Sequence, residues 1–513
     1  MRSFIFCACL ALLCTTTVNS ETHFREVIPR SIKRQSTASN GAPIINVDQD
    51  PTRLLNVTAW SLIYTYPLVI FASWAGGVLR NHSVNTIFHQ TNLASPGDPG
   101  VIKPNVDTLY SRVVLDLSKS DVVLTVPNIT DGRYWVYPVY DPFGNNQAEI
   151  GVVNGNKAGD YLIRRADDVF MPPGYSNDTR TFNSSTYRGV VNLPGSYGTM
   201  LIRLLLLHNT TEDLQTVHTY QNASKLTQIA RAAPLQANTK PAPSLQSLAL
   251  NNSLLGIQGP SLQLQFAARI IPYTQPQIYS ERYRVASILS SAGLYDGHYQ
   301  PPANLNLTLA AVIANASITA DVENPSHIRS QGNDWQLSIP SYQGNFGTHY
   351  ASAAYVALAG YQQQSVRQTL YPGYKSLGFT SQFQLEPNQS LLVTFSGKPK
   401  LQSSGFWSLT VYGADQYLVA NELNRFEVGD RTYNLTYPDG EYIYGPNANS
   451  SRDRSFQILV QPANIRPPAN WTNNWLPTNE TFSWITRWYV PDAAMTNGSY
   501  VYPKVENVTA IRA

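Results

Sequence analysis

The alternation of apolar and polar positions is clearest over residues 105–151, NVDTLYSRVVLDLSKSDVVLTVPNITDGRYWVYPVYDPFGNNQAEIG, and predicts three or four consecutive strands. Runs of Val, Leu, Thr, Tyr and Trp are cut by Pro127-Asn128, Asp131-Gly132 and Asp141-Pro142-Phe143-Gly144, which are turn-forming residues. Strand patterning continues at 159–163 and through the apolar run 199–206. Thr210 with Asp213 then approximates a capping box, and Leu214, Val217 and Leu226 fall near one face, predicting a helix over 211–230.

Residues 234–243 (PLQANTKPAP) form a Pro-containing connector, and 277–297 and 304–320 carry mostly helical patterns. The segment 350–361 (YASAAYVALAGY) is small and apolar on nearly every side, as in a helix buried between domains. Strands return at Gln382, with runs at 391–395, 405–412, 425–428, 456–460 and 482–490 at spacings typical of a sandwich. The predicted fold is mainly β with helices (α+β): two jelly-roll-like antiparallel β-sandwich domains flanking a helical middle segment. The corresponding boundaries are 35–233 for an N-terminal helix with the first β domain, 234–380 for the helical middle, and 381–513 for the second β domain.

An internal echo supports that division. GRYWVYPVYD at 132–141 and GFWSLTVYGAD at 405–415 share a leading Gly, a Trp followed four positions later by Val and then Tyr, and a closing Asp. VVLTV ending at Val126 and LLVTF ending at Phe395 precede them; Asn145 with Gly151 and Asn424 with Gly429 follow. Order and spacing agree over about forty residues, which predicts duplicated β units.

The first twenty residues combine Arg2, an apolar run at 4–14 and the small-residue stretch Val18-Asn19-Ser20, the pattern of a secretory signal peptide. Lys33-Arg34 marks 21–34 as a candidate propeptide. Cys7, Cys9 and Cys14 are the chain's three cysteines and all lie in the signal segment, so disulfides and cysteine chemistry are not expected in the mature protein. Sequons stand at Asn56, Asn81, Asn128, Asn177, Asn183, Asn209, Asn222, Asn251, Asn306, Asn315, Asn388, Asn434, Asn449, Asn470, Asn479, Asn497 and Asn507. With the signal peptide they predict a secreted, extracellular glycoprotein. Residues 60–79 run for twenty positions without a charge, long enough to span a bilayer, but Pro67, Gly76, Gly77 and several hydroxyls favour a buried helix broken near Pro67 and no membrane span.

At 513 residues the chain has room for two or three domains. Charged residues are 13% of the total and the net charge is +3, which points away from nucleic acid as a partner.

Two stretches carry a family resemblance. NVDTLYSRVVLDLS with DGRYWVYPVYDPFGNN resembles domain-of-unknown-function family 1254. GFWSLTVYGADQYLVANELNRFEVGD, with NWLP at 474–477 and RWYVPDAA at 487–494, resembles family 1214, which commonly follows the first in one chain. The resemblance, read as a secreted fungal-type member, implies two jelly-roll-like domains around helices and no established activity. It also implies a basic residue in the helix before the second domain, where this chain has Ser352, Ala353 and Ala354.

Candidate chemistry gathers on the first β stretch. Alternation puts Arg133, Trp135, Tyr137, Val139 and Asp141 on one face of a strand. Asn105, Asp107 and Tyr110 enter the neighbouring strand and are expected to meet Asp141, Asn145 and Asn146 at one end of the sheet. A mouth of Asp, Asn, Tyr and Trp suits a small polar or carbohydrate-like ligand, with Asp107 or Asp141 as acid or base beside Tyr110 or Arg133. Each residue also has a structural role open to it, since Asp and Asn start turns and an Arg133 pair with Asp141 or Asp107 would fix a hairpin. In the second block Trp407, Tyr412, Asn421, Asn424, Arg425 and Asp430 form the matching set, with Arg425 either a carboxylate fork or a loop clamp.

No H-x-H, H-E-x-x-H, G-x-S-x-G, phosphate loop or dinucleotide fingerprint occurs, so neither a metal nor an organic cofactor is expected. His298 and His349 are the histidines to examine as bases. The leading functional reading is cofactor-free acid–base chemistry of the lyase, isomerase or hydrolase type on a small polar ligand; the alternative is a non-catalytic extracellular or cell-wall binding protein. A second copy of the chain is a further candidate partner.

Overall fold

A computed structural model describes residues 51–97, 103–231, 241–246, 248, 259–375 and 382–513. The signal and propeptide segments, most of the 234–243 connector and Asn251 lie outside the described residues.

Two sandwiches are built from the same eight strands in the same order. In the first, β1 (Thr108–Asp116), β2 (Asp121–Val126), β3 (Trp135–Tyr140), β4 (Asn146–Gly151), β5 (Gly159–Arg165), β6 (Gly189–Leu193), β7 (Tyr197–Leu205) and β8 (Lys225–Ile229) form sheets ordered β1-β7-β3-β4 and β8-β2-β5-β6. In the second, β9 (Thr369–Leu370), β10 (Gln389–Phe395), β11 (Trp407–Gly413), β12 (Glu427–Gly429), β13 (Phe456–Pro462), β14 (Trp475–Thr478), β15 (Thr481–Tyr489) and β16 (Lys504–Thr509) form sheets ordered β9-β15-β11-β12 and β16-β10-β13-β14. Short edge strands at Phe88–His89, Gly174–Ser176 and Gln382–Gln384 complete them.

The duplication holds to the register. Trp135 pairs with Leu204 and Val136 with Arg203; in the second copy Trp407 pairs with Trp488 and Ser408 with Arg487. Thr108-Leu109 faces Leu205 and Leu204, while Thr369-Leu370 faces Tyr489 and Trp488. Each outer sheet contains one parallel pair, β5 with β6 and β13 with β14, so the sandwiches are antiparallel only in the main. The alternating apolar residues explain why each pair of sheets closes: Leu109, Val113, Trp135, Tyr137, Met200 and Ile202 fill the first core, and Leu391, Trp407, Leu409, Ile458, Trp484 and Trp488 fill the second.

Helices cover part of the first sandwich. α1 (Pro51–Leu79) packs against α3 (Pro260–Ile270), α4 (Glu281–Ser291), α5 (Leu307–Val322) and α6 (Tyr350–Ala359), with Val114 and Tyr197 of the inner sheet closing the cluster. α1 is one unbroken helix through Pro67, contrary to the break expected there. Packing on several sides sustains it despite the hydrogen bond that a proline removes, a loss of about 3 kcal/mol in an exposed helix. By length and composition α1 could cross a membrane, and 67% of its most apolar window is buried inside the protein.

The helix expected over 211–230 stops early: α2 (Thr211–Ala223) is capped by the Thr210 hydroxyl, as the capping pattern required, but residues 225–229 become β8. An edge position beside β2 was available, and pairing along β2 outweighs continued helix. The middle segment is not helical throughout, because Ile328–Gly332, Trp335–Ser338 and Gly373–Tyr374 form a small sheet on the second core.

Gly151 and Gly429 occupy equivalent positions where strands come too close for a side chain. A Cβ would lie 2.7 Å from the Trp135 carbonyl at Gly151 and 2.1 Å from the Trp407 carbonyl at Gly429. Gly151→Ala and Gly429→Ala should therefore each lower unfolding stability by about 1–3 kcal/mol, measured by chemical denaturation. A neutral result at both would contradict the close approach.

Candidate functional site

The two inner sheets face each other, and the faces that meet combine polar side chains with a small apolar cluster of Tyr134, Val136, Leu205, Phe406, Tyr489 and Val490. On the first, alternation turns Thr108, Tyr110, Val136, Arg203 and Leu205 away from their own core; on the second it turns out Ser408, Thr410, Tyr412, Arg487 and Tyr489. An aromatic contact locks the seam: Tyr134 meets Phe406 at 5.6 Å and Tyr489 at 5.2 Å, and Phe406 stacks on Tyr489 at 4.0 Å.

Within the seam lie two buried arginines at equivalent positions, each with a tyrosine from the repeated Thr-Leu-Tyr. Arg203 sits 5.5 Å from the Tyr110 ring, and Tyr371 feels both guanidinium charges. Tyr140 and Tyr412 are likewise equivalent, facing Thr199 and Ser483. Neither arginine has an ion pair among the described residues. Arg487 is nevertheless hydrogen-bonded through both terminal nitrogens: Nη1 donates to Thr410 Oγ1 at 3.0 Å, and Nη2 to Tyr412 Oη at 2.9 Å and to the Lys103 carbonyl at 3.3 Å. Arg203 differs, since its Nε and Nη1 are buried without a hydrogen-bond partner, as is the hydroxyl of Tyr140.

Two carboxylates at equivalent places in the seam reverse that asymmetry. Glu149 pairs across from Pro138 and Glu427 across from Thr410, equivalent places in the two copies. Glu149 is saturated by Ser365 N at 2.8 Å, Ser365 Oγ at 2.6 Å and Asn146 Nδ2 at 2.6 Å. Glu427 Oε1 lies 3.9 Å from Arg431 Nη2, its Oε2 has no partner, and 19% of its side-chain surface remains accessible. Burial above all, with Asp430 adding to it and Arg487 opposing, pushes the Glu427 carboxyl up to about 8. Burial raises the hydroxyls of Tyr140 and Tyr489 far above their ordinary range, so both stay neutral donors. Lys103 is pushed down to about 8 by burial first and then by Arg487. One copy thus holds a buried arginine with two unbonded nitrogens, and the other a carboxyl with one unbonded oxygen.

Of the residues singled out from sequence, five converge here, Asp430 among them through its pair with Arg431 at 3.2 Å. Asn105 Nδ2 donates to Tyr489 Oη at 3.0 Å while its Oδ1 accepts from the Asp107 and Thr108 amides. Asp107 accepts from Ser408 Oγ at 2.7 Å and pairs with Arg431. Tyr110 lies against Arg203, and Tyr412 holds Arg487 while donating to the Pro104 carbonyl at 2.8 Å.

The others are elsewhere. Arg133 is held by Asp131 and Asp213 and donates to the Leu205 carbonyl, so it pairs with neither Asp141 nor Asp107. Asp141 ends β3 at the opposite extremity, accepting from Phe143 N, Asn145 N, Asn145 Nδ2 and Gln147 Nε2; burial pushes it up to about 6. Asp107, Tyr110 and Asp141 therefore do not form one mouth. Trp135, Tyr137 and Trp407 belong to the sandwich cores. Asn145 also ties Phe346 N to that turn, and Asn424 has a positive φ of 47° in a turn. Arg425 donates to the carbonyls of Thr472, Asn473 and Trp475, the loop clamp. Asn421 orders the same turn. His298 stands exposed on a short hairpin, and His349 stacks on Tyr342 at 4.0 Å.

Arg203, Arg487, Tyr140, Tyr371, Tyr489 and Glu427 were not singled out. Two signals point to them: the Thr-Leu-Tyr at 108–110 and again at 369–371, and one arginine inside each otherwise apolar last inner strand. Among the described residues no group of three or more His, Cys, Asp or Glu is gathered to hold a metal ion.

Glu427→Gln tests the perturbed carboxyl. Because the folded value lies above the unfolded one, near 4.5, the native state holds the extra proton between those values, and the Glu427 contribution falls as pH rises from about 4.5 to about 8. The melting temperature of Glu427→Gln relative to the unaltered protein should therefore rise across that interval; a difference independent of pH would refute the assignment.

Comparison with known proteins agrees with this division. The family described as protein of unknown function DUF1254 matches residues 84–228, and that described as protein of unknown function DUF1214 matches 380–493. The VPA0106 protein from Vibrio parahaemolyticus has a similar fold at 17% identity and a TM-score of 0.56, covering 89% of this chain and 100% of its own. An uncharacterized protein from Burkholderia cenocepacia is similar at 13% identity and a TM-score of 0.41, covering 98% of this chain and 99% of its own. No curated protein matches significantly.

Proposed function

For a chain that carries the DUF1254 and DUF1214 domains in tandem, we propose binding of a small carboxylate-bearing polar molecule in the seam, with Glu427 exchanging a proton with it. The observation that carries this reading is Arg203: a buried guanidinium with two unpartnered nitrogens, within electrostatic reach of Tyr110, Tyr140 and the Glu149 carboxylate but without an ion pair among the described residues. An isolated buried charge is costly, and a ligand carboxylate would supply the missing acceptors in a charge-assisted pair. Tyr140 and Tyr110 add donors or an aromatic wall, and Glu427 has the raised affinity for protons that a general acid or base needs near neutral pH. Asp107 acts through Arg431 as a positioning group. The chemistry this supports is proton transfer next to a carboxylate, as in a lyase or isomerase.

The setting we propose is extracellular, in a secreted, fungal-type glycoprotein. Every sequon asparagine among the described residues is exposed except Asn56 and Asn315, which are half-buried. Glycan-removing treatment of the native protein should therefore lower its mass, and an unchanged mass would count against secretion.

Arg203→Met separates function from packing. It should raise the melting temperature of the unliganded protein, because a buried charge without a partner is removed, and weaken binding of D-galacturonate or lactate by at least about tenfold in calorimetry. Arg425→Met, at the loop clamp, should leave affinity unchanged. Equal affinity of Arg203→Met and the unaltered protein would dismiss the proposal.

A further inference from the structure

The outer sheets end in the same way twice. β8 is the last strand of the first sandwich and an edge of its outer sheet; β16 is the last strand of the second and the equivalent edge. Each pairs on one side, β8 with β2 through five residues and β16 with β10 through six, both in unshifted register. A regular edge strand turns N–H and C=O groups outward and is a template for a strand from another molecule.

Other edges are covered. At β4, Asn146 N donates to the Gly344 carbonyl at 2.7 Å and Ser365 closes on Glu149. At β14 the side chains are buried and the Trp475 carbonyl accepts from Arg425. The short strand Gly174–Ser176 packs against β4. β8 and β16 instead run along the surface, with three of five and three of six residues exposed. The Tyr374 hydroxyl, 3.5 Å from the Val505 carbonyl, covers only the start of β16.

The usual protections of an edge are thin in both strands. Neither contains a proline or a bulge. The single charge of β8 is Lys225 at its first position, and the charges of β16, Lys504 and Glu506, pair with each other at 2.7 Å. What both edges do have is a sequon. Asn507-Val508-Thr509 lies within β16, and Asn222-Ala223-Ser224 runs from the last turn of α2 to the start of β8; both asparagines are exposed. A strand added to either edge would lie about 4.8 Å away, with facing side chains roughly 5 Å apart. A glycan rooted at that place is bulkier than either gap and is strongly hydrated.

We propose that N-linked glycans on Asn222 and Asn507 cap these two edges and prevent edge-to-edge pairing with a second copy of the chain. The inference rests on the extracellular, glycosylated setting and on no ligand of the seam.

Glycopeptide mass mapping of the full chain secreted from eukaryotic cells should find glycan on Asn222 and on Asn507. In light scattering, Asn222→Gln/Asn507→Gln should reach at least twice the average mass of the unaltered protein while keeping its melting transition. Ser451→Ala/Ser499→Ala removes the sequons of Asn449 and Asn497, which lie outside the strands, and should leave the mass of the assembly unchanged. Lysines at the bare edges, as in Asn222→Gln/Thr227→Lys/Asn507→Lys, should reverse the association, because a charge also blocks edge pairing. Should the double variant fold poorly, Asn222→Gln and Asn507→Gln singly carry the test, each expected to associate through its own edge. Glycan missing from Asn222 or Asn507 while other sequons carry it, folded variants that do not associate, equal association in the control, or no reversal by lysine would overturn the inference and leave the extracellular setting intact. A secreted chain without any glycan would remove that setting itself.

Discussion

The architecture turns on burying two guanidinium groups between two β-sheets. An arginine inside a sandwich core would have to be paired or hydrogen-bonded on all sides among largely apolar neighbours. Strand alternation sends Arg203 and Arg487 instead to the outer faces of the inner sheets, and those faces must then be covered without apolar contact alone. The second sandwich supplies the cover with hydroxyls and tyrosines, while the helical cluster around α1 covers the apolar remainder at Val114 and Tyr197. Sandwich packing, seam polarity and helix placement are consequences of where those two side chains point.

Much of this was legible in the residues. The Gly-Trp-Val-Tyr echo marked β3 and β11 as equivalent, and the structure extends that equivalence to sixteen strands and their register. Period-two patterning located five of the eight strands of the second sandwich, those rich in β-branched and aromatic residues, and missed β9, β14 and β16. It misjudged residues 225–229, where an edge pairing with β2 exists only after the fold has formed, and Pro67, where surrounding helices compensate for a local penalty.

The site was less legible for a specific reason. Asp, Asn and Arg at strand ends carry the same signal whether they order a turn, as Asp141 and Arg133 do, or cross to another domain, as Asn105 and Asp107 do. Which of the two happens depends on partners more than 250 residues away. Tyr140 and Tyr371 resemble ordinary core tyrosines until both sheets are superposed face to face. The lone arginine in each apolar strand was the sharper clue, since a charge in a strand buried on both sides demands a partner that the strand itself lacks.

A seam in which equivalent faces of two equivalent sheets meet has the form of an isologous contact, the kind two identical subunits make. In a true homodimer every substitution would occur twice, and a site on the axis would have to remain symmetric. Joining both halves in one chain removes that restriction. Leu205 can differ from Tyr489, and Glu149 can be sealed by Ser365 while Glu427 stays open. Covalent tandem linkage thus lets one symmetric frame hold two halves that differ in how their buried arginine and carboxyl are bonded, each free to vary without altering its counterpart.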